Sequence, residues 1–131
     1  MFQRHETAAT LTGVEACRTF FADCMAVSPD EDGLWVAHVD GEARCIHLAA
    51  YPAGAELAEL PVALILREAV ELGSVGMIVA QRRKGAASTS ASERQTTQTL
   101  SLAAEAMDIA LLDHLLFHGR ECRSLRRAGL L

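Results

Sequence analysis

A chain of 131 residues, half of them hydrophobic and 22% charged, is sized for one soluble domain around one core, and no apolar run in it approaches the ~20 residues of a bilayer-spanning helix. The formal net charge of −5 argues against a general nucleic-acid binder. That charge is unevenly spread: residues 1–71 hold four Arg against twelve acidic residues, a balance of −8, whereas residues 72–131 hold eight Arg and Lys against five acids, a balance of +3.

Residues 1–12 read as a weakly ordered lead-in. Their start, "MFQRHETAAT", lacks the apolar stretch of a secretory signal, so a cytoplasmic protein is expected. Val14, Cys17, Phe20, Phe21 and Cys24 have the spacing of an amphipathic helix over 14–25, which the turn-forming cluster at 28–33 ends. The run 34–40 predicts a strand with Trp35, Ala37 and Val39 on one face and Leu34, Val36 and His38 on the other. Asp40-Gly41 signals a hairpin, and 43–50 returns as the partner strand until Pro52 and Gly54 break it.

A helix is predicted over 57–72, with Pro61 near its start and Gly73 at its end. Val62, Ile65, Leu66 and Ala69 give it a broad apolar face. Such a helix is buried on more than one side or covers a second subunit, which leaves a homodimer open. The apolar run 74–80 predicts a central strand. Ser90-Ala91-Ser92-Glu93 has the form of a capping box, and the helix behind it carries a stripe of Thr96, Leu100, Ala103 and Met107. Residues 108–119 predict another strand, Gly119-Arg120 a turn, and 121–127 its return. The order helix, strand, strand, helix, strand, helix, strand, strand implies one α/β domain over 1–131: a mixed sheet with helices on both faces.

Chemistry is sought first where the central strand meets the next helix. Arg82, Arg83 and Lys84 stand beside a helix N-terminus and form a candidate anion site, although only Gly85 follows and no Walker pattern is present. Ser88, Ser90 and Ser92 read as loop and cap residues, because no Gly-x-Ser-x-Gly elbow frames them. Asp113 and His114 are strand neighbours on opposite faces and cannot pair; His114 is expected to be a structural histidine bonded to backbone. Cys122 and His118 form a candidate nucleophile pair across the last hairpin, without a nameable oxyanion hole. Cys17, Cys24, Cys45 and Cys122 make no C-x-x-C pair and read as free thiols.

The C-terminal stretch "LLDHLLFHGRECRSLRRAGLL" resembles the RadC-like branch of the JAB/MPN (JAMM) domain family, at Asp113, His114, Gly119, Ser124, Gly129, Leu130 and Leu131. The likeness runs from about residue 30 to the end, with "LWVAHVD" and Gly54 also in place. It implies a three-layer α/β fold of the JAB/MPN, cytidine-deaminase-like type. Intact members are implied to hold a zinc through His-x-His and an Asp, with a Glu as general base; the open metal position would activate a water. Counted onto this chain, the His positions are Gln81 and Arg83, and Lys84 stands at the Pro. The Ser-x-x-Asp segment falls on Ser90 to Glu93 with one loop residue deleted, and Asp32 lies near the place of the Glu. Arg83 has no lone pair to donate and would repel a metal cation; it can instead pair with Glu93.

The leading reading is therefore a RadC-like JAB domain that has lost its zinc, is not an enzyme, and serves as a binding or interaction module for a protein or nucleic-acid partner. Two alternatives stay open. One is a metal-dependent hydrolase with another ligand set, for example His38 or His47 brought near Glu93. The other is a DNA-associated protein using residues 82–84 with Arg120, Arg123, Arg126 and Arg127; members of the family are often labelled DNA repair proteins. Such a protein would bind DNA with steep salt dependence.

Overall fold

A computed structural model describes residues 9–26, 33–51, 62–83, 91–119 and 121–131, apart from the side chains of Ser92 and Glu93. The elements follow the predicted order: α1 (Gly13–Met25), β1 (Gly33–Val39), β2 (Cys45–Tyr51), α2 (Val62–Leu72), β3 (Gly76–Arg82), α3 (Ala91–Glu105), β4 (Ala110–His118) and β5 (Glu121–Ser124). The five strands form one sheet in the order β2-β1-β3-β4-β5. β3 lies at its centre, as the unbroken apolar run predicts. It pairs antiparallel with β1 and parallel with β4, and β2 and β5 fold back as the outer strands of two hairpins.

Strand alternation sorts the side chains into two cores. Leu34, Val36, Met77 and Val79 pack with Ile65 and Ala69 of α2 and Leu100 and Ala104 of α3. Ala37, Val39, Ile78, Ala80, Leu115 and Phe117 pack with Cys17, Phe21 and Met25 of α1. Phe21 and Ile65 are fully buried, each contributing roughly 1.5–3 kcal/mol by removal from water. The broad face of α2 is used inside the chain: Ile65 and Ala69 are buried, and Val62 and Leu66 pack against the same core.

Several boundaries differ from the sequence reading. The lead-in is not loose at residues 9–12. Thr10 bridges Arg44, Cys45 N–H donates to the Ala9 carbonyl, and Leu11 is buried; residues 1–8 and the start of the predicted helix at 57–61 lie outside the described residues. The buried row of α3 is Thr97, Leu100 and Ala104, not the stripe through Thr96, Ala103 and Met107. The helix ends at Glu105, so Met107 falls in the following turn and is 49% exposed. β5 stops at Ser124 rather than running to 127. Arg126 turns back instead, and its guanidinium donates to the carbonyls of Leu111 and Leu112. No helix among the described residues is long and apolar enough to cross a membrane.

Candidate functional site

β3 runs two residues beyond its predicted end, and this places Gln81 and Arg82 in the sheet. Gln81 points to the α2/α3 face and is buried. On the parallel neighbour β4, Val79 pairs with His114 and Gln81 with Leu116, so the His114 ring stands beside the Gln81 amide. His114 Nε2 lies 2.6 Å from Gln81 Oε1, and His114 Nδ1 lies 2.9 Å from Thr97 Oγ1 of α3.

One proton arrangement satisfies the chain of contacts. Thr97 O–H donates to Nδ1, and Nε2–H donates to the Gln81 carbonyl oxygen, which leaves His114 neutral. Burial pushes its pKa down to about 3, and the positive charge of Arg83 adds to the shift. His114 is thus structural, as expected, but its ring is held by two side chains rather than by backbone. Thr97 went unrecognised in the sequence because it lies one residue off the predicted stripe. One polar atom is left over: Gln81 Nε2 is buried and has no hydrogen-bond partner among the described residues.

Asp113 points away from this cluster. Its carboxylate accepts hydrogen bonds from the Ser124 hydroxyl and from the backbone N–H groups of His114 (2.7 Å) and Arg126 (3.1 Å). It anchors the last hairpin and the turn behind it. Cys122 and His118 do not form a pair: Cys122 sits opposite Phe117 on the α1 face, whereas His118 sits opposite Glu121 on the other. Burial raises the Cys122 thiol to about 11, the reverse of nucleophile activation. His118 Nδ1–H donates to the Arg83 carbonyl at 3.2 Å, and Arg83 N–H donates to the Phe117 carbonyl at 3.1 Å, so the chain leaving β3 is pinned to β4.

Arg82 lies on the α1 face, where its guanidinium donates to the Met25 carbonyl at 2.9 Å and sits 5.4 Å from the centroid of the Trp35 ring. That ring fills the space beside Gly33, where an added Cβ would come within 2.4 Å of it. The charge of Arg83, two residues after Gln81, is felt at His114. Lys84, Asp32, Ser88 and Ser90 and the side chains of Ser92 and Glu93 lie outside the described residues, and with them the capping box and the Arg83–Glu93 pair. His38 and His47 are far from this end: His38 pairs with Met77, at the opposite end of β3 from Gln81. The second ligand set expected of them includes Glu93, whose side chain lies outside the described residues.

Among the described residues, the donor chemistry at the Gln81 end does not fit a zinc ion. The Gln81 carbonyl oxygen is engaged by His114, its amide nitrogen has no lone pair to give, and neither has the Arg83 guanidinium. Both His114 nitrogens are committed to Thr97 and Gln81. Among the described residues no three His, Cys, Asp or Glu side chains stand close enough to hold a metal.

A mixed five-stranded sheet with one helix on one face and two on the other, and a polar cluster at the carboxyl ends of its parallel strand pair, defines an α/β domain of the JAB/MPN type. A family model described as the RadC-like JAB domain matches residues 11–130, and the chain belongs to that family. The match reaches back past residue 30 to include all of α1. No curated protein matches the chain.

Proposed function

We propose that this RadC-like JAB domain works without the family's zinc, as a binding or interaction module rather than a hydrolase. One observation carries the reading: the residue at the first metal-ligand position, Gln81, is buried and bonded to His114, so its oxygen belongs to a structural hydrogen-bond chain. The charge of Arg83 acts on the same histidine, from the position of the second ligand. A guanidinium there supplies positive charge without the water-activating chemistry of a Lewis acid.

The partner, on this reading, meets apolar surface. Leu64, Val70, Leu72 and Val75, on α2 and the turn after it, are exposed large hydrophobic residues. A second copy of the chain or another protein would cover them. The DNA-associated reading gains less support, because Arg82 and Arg126, two of its cations, are held by carbonyl groups of the protein itself.

A crystal structure of the purified protein with anomalous data at the zinc edge tests the proposal. The expected map has no peak at the Gln81–Arg83 end of the sheet. A zinc coordinated there would overturn the reading, whatever metal is bound elsewhere.

A further inference from the structure

At the other end of β3, two histidines face each other across the β1–β2 hairpin. His38 and His47 are cross-strand partners, on the face covered by α2, with ring centroids 6.1 Å apart. His38 is fully buried. Its Nδ1 shares a 3.0 Å hydrogen bond with Ser74 Oγ, and its Nε2 has no hydrogen-bond partner among the described residues. In the tautomer whose Nδ1–H donates to Ser74 Oγ, Nε2 presents a lone pair inside the protein. An uncompensated buried polar atom is destabilising, and nothing in the Gln81–His114 cluster accounts for this one.

We propose that His38 Nε2 and His47 form a binding site for a divalent transition-metal ion such as zinc, with Ser74 orienting the His38 ring. The geometry is within reach. Zn–N bonds of ~2.0–2.1 Å bring the centroids of two imidazoles on one tetrahedral ion to about 5 Å. The remaining gap is about 1 Å. His47 lies on the edge strand β2 and is exposed, so its ring can turn toward the ion without disturbing the core. Glu68 of α2 places a carboxylate whose charge is felt at His38, which favours a dication. That carboxylate accepts the Tyr51 hydroxyl. Because no three ligating side chains converge among the described residues, the protein supplies two nitrogens and water completes the shell. The hydroxyl partner on Nδ1 is the kind of outer contact that fixes the tautomer of a ligating histidine. This site is independent of the lost zinc pocket: His38 aligns with Met77 on β3, whereas Gln81 aligns with Leu34.

The test is a Zn²⁺ titration of the chelator-treated full chain, followed by calorimetry and by NMR of the imidazole nitrogens. Saturation at one equivalent is expected, with the signals of His38 and His47 moving together. His47→Ala, at an exposed position that leaves the fold intact, should weaken binding about tenfold or more. Ser74→Ala should weaken it by about the tenfold typical of a lost outer-shell partner. Gln81→Met should leave it unchanged. Zinc binding that His47→Ala does not alter, or no saturable binding, would overturn the proposal.

Discussion

Two buried histidines set how this protein responds to acid. His38 is held down to about 4, by burial first and by neighbouring His47 second, and His114 down to about 3. Both have ordinary values near 6.5 once the chain unfolds. The unfolded state therefore takes up protons first as pH falls, so the stability due to the neutral rings is full above about pH 6.5 and is lost progressively below it. For His114 alone, the loss integrated between pH 7.5 and pH 5 is about 2 kcal/mol, its slope rising to ~1.4 kcal/mol per pH unit well below pH 6.5. Urea unfolding at pH 7.5 and pH 5.0 should show a clear drop in the midpoint, and His114→Gln should flatten the profile. A midpoint unchanged between the two conditions would mean that neither ring is buried neutral. Little of this was legible in the sequence. His114 stood out as a strand histidine, but its partners follow from the parallel β3–β4 register, with its shift between Met77 and Ile78, and from where α3 lands. Register across a crossover depends on packing that no local pattern encodes.

The elements were far more legible than the contacts, because hairpins and helices are local. The alternation of Leu34 to Val39 was enough to assign both faces of β1, and the Asp40-Gly41 signal gave the turn. The turn itself is subtler. The residue with positive φ is Ala43, at 63°, rather than Gly41. Asp40 holds the loop by accepting the N–H groups of Glu42 and Arg44, each at 2.9 Å, and Arg44 Nε–H at 3.0 Å. An L-residue in the left-handed region costs roughly 1–2 kcal/mol, whereas glycine loses roughly 0.4–1 kcal/mol through the greater entropy of the unfolded chain. The first effect is larger. Ala43→Gly should therefore stabilise the protein by about 0.5–1 kcal/mol, read as a raised melting temperature, while Gly41→Ala should bring no comparable gain. A lower melting temperature for Ala43→Gly would show that the loop is not strained at this position.

At the scale of the whole molecule, the basic second half invites a nucleic-acid role, and the fold bears on whether its charges are available. Affinity for duplex DNA rises with the number of phosphates a surface neutralises, and each contact contributes roughly −0.9 to the salt slope. Arg82 is tied to the end of α1 and to Trp35, and Arg126 is tied to β4, so both cations serve the fold. Arg123 and Arg127 remain exposed at the last hairpin, but they belong to a chain of net charge −5 whose long-range field repels phosphate. Two contacts, from Arg123 and Arg127, would give a salt slope of about −2, far from that of a dedicated DNA-binding surface. Fluorescence anisotropy of a labelled duplex at 50 and 200 mM salt should therefore show weak binding, similar for wild type and for Arg123→Ala/Arg127→Ala. Tight binding that collapses across that salt range, and that the double substitution abolishes, would return the basic half to a nucleic-acid role and displace the apolar surface around α2 as the place where the partner sits.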